Sequence, residues 1–308
     1  MDPIPLTGTR CAICGSEGNA ETVFQENLGV DAFTPTVFSA RRLPDRIHYR
    51  IVRCVECGLL RSDPIASTDL VSDLYSQSKF EYGGESANLA RTYGRYLAEL
   101  DRYGRRNEAL LEIGCGNGFF LEEARRRDYG VVRGVEPSAD AVAQAPPGLR
   151  EAIVVDVMRP GLFDGQSFDV ICLFQVLDHL PDPAAVLEEC FRLLKPGGLV
   201  LCLNHDAEAL SARLLGARSP IIDVEHTYLF SERTISRLLE TLGFRVLACG
   251  PARNTYSLRY LSRLLPLPRV AKTPLLGVLD ATRAGKVRLS VRLGNLYAIA
   301  QRPEESRS

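Results

Sequence analysis

Residues 110–120 read Leu110-Leu111-Glu112-Ile113-Gly114-Cys115-Gly116-Asn117-Gly118-Phe119-Phe120. An apolar run that starts at Ala109 breaks into three glycines at alternate positions, and a helical pattern begins at Phe119. Strand, tight glycine turn, helix start is a geometry that brings backbone N–H groups close to a ligand, because glycine places no Cβ in the way.

Working outward, strand and helix signals alternate from residue 109 to 250, which argues for a parallel sheet with helices on both faces. Strands are expected at 109–113, 130–135, 152–155, 168–174, 198–204 and 244–249. Helices are expected at 117–128, 138–144, 182–194, 207–215 and 231–242. Asp182-Pro183 supplies an N-cap followed by proline in the first turn. Ser231 opens a helix whose stripe of Ile235, Leu238, Leu239 and Leu242 stops at Gly243.

In such sheets ligands sit at the carboxyl ends of the strands. Besides the glycine turn, three features fall there. Glu136 closes the second strand at the spacing at which an acid reaches ribose hydroxyls. Asp156, after Ile153-Val154-Val155, is placed to accept from an adenine amino group, and Phe174-Gln175-Val176-Leu177-Asp178-His179 leaves the fourth strand. The spacing Gly-x-Gly-x-Gly, with Glu112 two residues ahead of it, disfavours a pyrophosphate by like-charge repulsion and suits a ligand carrying an ammonium or sulfonium.

The N-terminal part carries a second signal, Cys11-Ala12-Ile13-Cys14 and Cys54-Val55-Glu56-Cys57, each followed by a glycine. Two residues between thiols let one turn present both sulfurs to one ion, and two such knuckles make a tetrahedral S₄ site for structural Zn²⁺. β-like runs between the pairs suit a zinc ribbon. His48, on the alternation Ile47, Tyr49, Ile51, is expected to be a half-exposed strand residue rather than a ligand. From Ser67 a helix presents Leu70, Val71, Leu74 and Tyr75 on one face, and a second helix follows from Ser86. Lys79–Gly84 between them is an aromatic loop that could act as a lid over the site.

The chain has 308 residues, a net charge of −1, nine cysteines and no tryptophan. The near-zero charge gives no basic field, so nucleic acid is not an expected partner. There is no run of about 18 apolar residues to span a bilayer, and the N-terminus has no signal-peptide pattern, so a cytoplasmic location is expected. Residues 251–290 hold eight Lys or Arg against one acid, Asp280, with aromatic and leucine residues interleaved. Residues 256–272 could therefore meet an anionic substrate or touch a membrane surface peripherally.

Glu112–Gly118, Glu136, Asp156, Phe168–Ile171, His179–Pro183 and Leu194–Gly198 resemble the successive motifs of class I S-adenosylmethionine-dependent methyltransferases, in that family's order. The resemblance implies an α/β, Rossmann-like seven-stranded sheet whose last strand, expected at Leu293–Gln301, is antiparallel. It also implies cofactor contacts from Glu112, Gly114, Gly116 and Gly118, from Glu136, Asp156 and Val157, and from Gln175. Four zones follow: a zinc ribbon at 1–66, a helical connector at 67–104, the cofactor-binding core at 105–250, and a basic C-terminal segment with the last strand at 251–308.

Methyl transfer needs a base near the strand ends when the acceptor carries a proton. His179 and the pair Glu225-His226 are the first candidates, followed by Asp178, His205 and Asp206. Glu225 is expected to orient the His226 imidazole. The four-cysteine ribbon, the aromatic loop with Tyr82 and the segment Glu225-His226-Thr227-Tyr228-Leu229-Phe230-Ser231 together are similar to the nucleotide-sugar C-methyltransferases. That resemblance implies Glu225 and His226 as the base, Tyr82 over cofactor and substrate, and a small acceptor, such as a sugar, nucleotide sugar or glycan intermediate, methylated on carbon or oxygen. The alternatives are O-methylation of a secondary metabolite and an RNA methyltransferase that uses the ribbon for RNA contact.

Overall fold

The computed structural model describes residues 5–29, 33, 34, 37, 38, 47–78, 85–104, 108–264 and 268–304. Three ribbon strands come first, β1 (Ala20–Phe24), β2 (Ile51–Cys54) and β3 (Leu60–Ser62), followed by α1 (Thr68–Ser76) and α2 (Ser86–Glu99). The core then runs β4 (Ala109–Ile113), α3 (Phe119–Arg125), β5 (Val131–Val135), β6 (Ile153–Val154), β7 (Phe168–Phe174), α4 (Pro183–Leu193) and β8 (Leu194–His205). A short strand β9 (Tyr228–Leu229), helix α5 (Glu232–Thr241), β10 (Arg245–Pro251) and β11 (Asn295–Gln301) complete it.

Seven strands form the central sheet in the order β10-β11-β8-β7-β4-β5-β6. The five on the β8 to β6 side are parallel, while β11 is antiparallel to both its neighbours, β8 and β10. This is the expected α/β sheet with an antiparallel final strand. β4 and β7 read as unbroken apolar runs because both their faces are covered: every residue of each is buried. On one face Tyr93 of α2 stacks on Phe174 at 4.0 Å between ring centroids, with Phe120 of α3 edge-on to the same ring at 4.7 Å.

The helix boundaries follow the capping chemistry. Asp182 accepts from the Ala185 N–H at the start of α4, and Ser231 and Thr234 bond reciprocally as a capping box at the start of α5. Ser67 accepts from the Leu70 N–H and caps α1.

Two elements cross the zones drawn from sequence. β9, from the core segment, pairs antiparallel with β3 and becomes the edge of a four-stranded ribbon sheet, β9-β3-β2-β1, with Tyr228 opposite Arg61. β11, from the C-terminal zone, lies inside the central sheet. The basic zone itself is not one helix. Asn254–Ser257 is a strand paired with Arg288–Val291, and helices at Leu258–Leu264 and Arg269–Ala281 follow it. The ion pair from Arg259 to Asp280 ties those two helices together.

His48 departs from its expectation. It lies before β2 rather than on it, is 3% exposed, and its Nδ1 bonds the Tyr49 carbonyl at 2.8 Å. Local alternation showed two faces but not that the segment at 37–38 and α1 bury both around Tyr49.

The turn after β4 is packed without slack. A Cβ on Gly134 of β5 would lie 2.5 Å from Cys115 Sγ and 3.0 Å from Leu121 Cδ1. Gly134→Ala should therefore destabilise the protein by ~1–3 kcal/mol. Cys115→Ala in the same chain should recover most of that loss, measured by urea unfolding; equal stabilities for the single and double variants would contradict the packing argument.

Candidate functional site

The glycine turn sits where β4, β5 and β7 present their carboxyl ends, in register at Ile113, Val135 and Leu173. Gly114, Gly116 and Gly118 all have positive φ, the left-handed region that glycine occupies without penalty. A Cβ on Gly114 would lie 2.3 Å from Val176 Cγ2, so the turn touches the segment that leaves β7. The Gly116 N–H donates to one carboxylate oxygen of Glu136 at 2.9 Å, and the Ser138 N–H donates to the other, also at 2.9 Å. The expected ribose-binding acid thus braces the glycine turn.

Glu112 is 2% exposed, and its Oε2 has no hydrogen-bond partner among the described residues. Burial, with the Glu136 charge adding to it, pushes its carboxyl well above the usual carboxylate range. A buried acceptor without a donor costs stability unless a ligand supplies one. Its position before the turn fits the ammonium or sulfonium of a cationic adenosyl cofactor. At the end of β6, Asp156 accepts from the Val157 N–H at 2.8 Å and pairs with Arg159 at 2.8 Å. Val155 and Val157 are exposed there and offer apolar surface to a base. Gln175 stands in a left-handed conformation, φ 57°, and its N–H bonds the Leu203 carbonyl. Tyr82 lies outside the described residues.

Across the strand ends from the glycine turn, three of the four histidines of the chain gather around one carboxylate. Asp178 is 1% exposed. Its Oδ2 accepts from His205 Nδ1 at 2.7 Å, and its Oδ1 accepts from Asn204 Nδ2 at 3.1 Å. Burial alone would raise its carboxyl. The His205 hydrogen bond, with the positive charge of the neighbouring imidazoles when they are protonated, outweighs that and holds it far below the usual carboxylate range. An ionised Asp178 can only accept, so His205 Nδ1 carries a proton, and in the neutral ring Nε2 is the acceptor.

His179 and His205 each lie 4.7 Å, centroid to centroid, from the His226 ring. Burial, and then the other two histidines, push His226 well below its ordinary pKa, so it stays neutral. Its Nδ1 donates to the Ile221 carbonyl at 2.9 Å. At Nδ1 the ring is therefore held by a backbone carbonyl five residues earlier and not by Glu225, which was expected to orient it. Glu225 meets the cluster at His179, through its backbone.

Tyr75 was read as a core residue of α1, yet its hydroxyl lies 3.1 Å from His179 Nδ1. Its stripe position could not reveal a partner 104 residues away.

The cysteine pairs come together in the ribbon. Cys11 Sγ lies 3.2 Å from Cys57 Sγ, Cys14 Sγ lies 3.6 Å from Cys54 Sγ, and all four sulfurs fall within 4.8 Å of one another. An S₄ zinc site has sulfurs about 3.8 Å apart, so the donor set and its spacing fit that ion. Burial would raise the Cys54 thiol, but hydrogen bonds from the Cys57 and Glu56 N–H groups lower it to about 6, as expected of a knuckle turned toward an ion.

The ribbon also reaches the histidines. Ser62 of β3 donates from its hydroxyl to the His226 carbonyl at 2.8 Å and from its N–H to the Thr227 carbonyl at 2.8 Å. The Thr227 and Tyr228 N–H groups donate to the Asp178 carbonyl.

The family model described as "Methyltransferase domain" matches residues 86–248, just over half of the chain. The chain belongs to this family. It is 32% identical over 130 residues to the ubiquinone biosynthesis O-methyltransferase of Klebsiella pneumoniae (strain 342), covering 40% of this chain and 53% of that protein. Its identity to the protein of the same name from Cereibacter sphaeroides is 34% over 119 residues, covering 35% of this chain and 46% of that protein. The chain thus spans about half the length of these curated relatives. Among solved structures, a chain of the complex between the Haloferax volcanii Trm112 methyltransferase activator and a methyltransferase superposes with a TM-score of 0.50 at 19% identity. The match covers 73% of this chain and 94% of that one, and it bears on the fold alone. Among the described residues no helix is long and apolar enough to cross a membrane.

The raised Glu112 carboxyl sets a pH dependence. Without ligand, the folded protein holds this proton more tightly than the unfolded chain does. Its contribution to stability is full below the unfolded value and is lost as pH rises toward the folded one. A cationic ligand prefers the ionised carboxylate, so affinity for S-adenosylmethionine should rise as pH climbs above the usual carboxylate range toward the raised value of Glu112. Glu112→Gln should flatten that rise in calorimetric titrations; an unchanged slope would remove Glu112 from the site.

Proposed function

We propose that the protein is an S-adenosylmethionine-dependent methyltransferase that acts on a protonated acceptor atom of a small molecule, in the first instance a hydroxyl oxygen. The observation that carries this reading is the pairing of His205 with ionised Asp178 at the strand ends, beside a glycine turn fitted to an adenosyl cofactor. The names of the curated relatives support oxygen as the acceptor atom.

S-adenosylmethionine supplies a sulfonium-bound methyl group. The chain's own residues divide the remaining tasks. Gly114–Gly118 admit the nucleoside close to the backbone, Glu136 faces its ribose, and Glu112 answers its positive charge. His205 takes the acceptor's proton on Nε2. Asp178 fixes the tautomer that makes this possible and stabilises the imidazolium that results. His226, neutral and buried, forms the wall of the acceptor pocket together with His179. In this reading the base moves from Glu225-His226 to His205-Asp178, and the cluster keeps all of these side chains near the acceptor.

A narrower reading has one observation in its favour. The segment Glu225–Ser231 and the cysteine ribbon share one sheet, so the two features that resemble nucleotide-sugar C-methyltransferases act here as a unit. A saccharide-linked acceptor suits that arrangement. We further propose that Cys11, Cys14, Cys54 and Cys57 hold one structural Zn²⁺, with no coordination position left for substrate.

Turnover can be followed with labelled cofactor against phenolic, saccharide and nucleotide-sugar acceptors. His205→Ala and Asp178→Asn should each lower kcat by roughly 10²–10⁴-fold, leaving S-adenosylmethionine affinity within about twofold. Full activity in both variants would overturn the assignment of the base. Metal analysis should find zinc, of which Cys54→Ser removes about one equivalent together with thermal stability; protein free of zinc and equally stable would refute the S₄ site.

A further inference from the structure

Asp178, His179 and His226 come from two separate stretches of chain, yet one ligand atom from each lies within 4.8 Å of the other two. The His179 Nε2 to Asp178 Oδ1 separation is 3.9 Å. Two imidazoles and one carboxylate converging on one point form a donor set that suits first-row transition-metal dications and leaves coordination positions open for other ligands.

The atoms behind these three are as telling as the three themselves. Imidazoles that bind metal usually donate their second ring N–H to a carbonyl, carboxylate or hydroxyl, which fixes the ring and its tautomer. His226 Nδ1 donates to the Ile221 carbonyl at 2.9 Å, which leaves the ring's lone pair on Nε2. His179 Nδ1 lies 3.1 Å from the Tyr75 hydroxyl, which can accept its proton and free Nε2. Asp178 Oδ2 is held by His205 at 2.7 Å, and Asn204 steadies Oδ1 at 3.1 Å. Each donor therefore has its outer partner in place. The site is also sheltered, since Asp178 is 1% exposed and His226 7%.

We infer that Asp178, His179 and His226 form a second metal site, distinct from the cysteine cluster, that takes one divalent transition-metal ion at the acceptor end of the pocket. The inference rests on the methyltransferase reading only for the role of the ion, not for its binding. An ion held there would act as a Lewis acid toward the acceptor's hydroxyl oxygen. The O–H proton passes to His205 Nε2, and the bonding pair stays on the oxygen, which then carries the charge that the ion offsets. His205 keeps the function assigned above, because its contact with Asp178 uses the other carboxylate oxygen.

Co²⁺ separates the two sites. The S₄ cluster is first filled with a single equivalent of zinc, which the four thiolates take in preference, so that added Co²⁺ reports on nitrogen and oxygen donors through weak visible bands without intense sulfur charge transfer. Wild-type protein should bind one equivalent of Co²⁺. His179→Ala and His226→Ala should each weaken that binding by at least about tenfold. Calorimetry of S-adenosylmethionine on the same samples shows that the variants are folded. His179, at the more open side of the cluster, carries the test should His226→Ala fail to fold. Absence of Co²⁺ binding in the wild type, or equal binding by wild type and His179→Ala, would overturn the site. Loss of cofactor binding by the wild type would instead sink the methyltransferase reading and leave the metal result standing.

Discussion

A single buried carboxylate, that of Asp178, ties three parts of the molecule together. A charge withdrawn from water is stable only when its lone pairs find donors. Asp178 finds them at the end of β8, in Asn204 and His205. Its backbone carbonyl meanwhile accepts from Thr227 and Tyr228, which begin the strand added to the ribbon. Side chain and main chain of one residue thus fasten the exit of β7, the exit of β8 and the ribbon edge. Three histidines fall around it as a result, and each is assigned a partner before any ligand arrives.

The cofactor half follows a different logic. Its donors are backbone groups freed by glycine, and its acids lie in a shell where burial works against their charge. Glu136 is held by two N–H groups, whereas Glu112 has an oxygen with no hydrogen-bond partner among the described residues. The first acid is preorganised by the fold. The second is left with an open acceptor, which in the proposed reading is answered by the positive charge of the cofactor.

Much of the fold could be read from the chain because its signals are local. The strands at 109–113 and 168–174, the glycine turn and the caps at Asp182 and Ser231 follow from periodicity and turn chemistry within a few residues, whereas the antiparallel final strand comes from the family resemblance. The cysteine pairs announced one another through spacing. The acceptor half could not be read in this way. Ser62 meets His226 across 164 positions and Tyr75 meets His179 across 104, and no local pattern encodes such meetings. Glu225 looked like the partner of His226 because it is adjacent in sequence, but a turn places Ile221 against the ring instead. His205 stood low among the candidate bases because a histidine at a strand end has no neighbour in sequence to mark it. Only β7 and β8 lying side by side bring Asp178 to it.

The bonds from Ser62 to His226 and Thr227 bear on how freely the ribbon could be exchanged for another module. These contacts use backbone carbonyls, so most side chains of the ribbon can vary without disturbing the pocket. The backbone itself cannot be removed. A chain beginning at residue 67 would leave β9 as an open sheet edge and two buried carbonyls without donors, on the segment that carries a histidine of the acceptor pocket. In sequence the ribbon precedes the methyltransferase domain; in space it is one of that domain's walls, and the two inherit each other's fate.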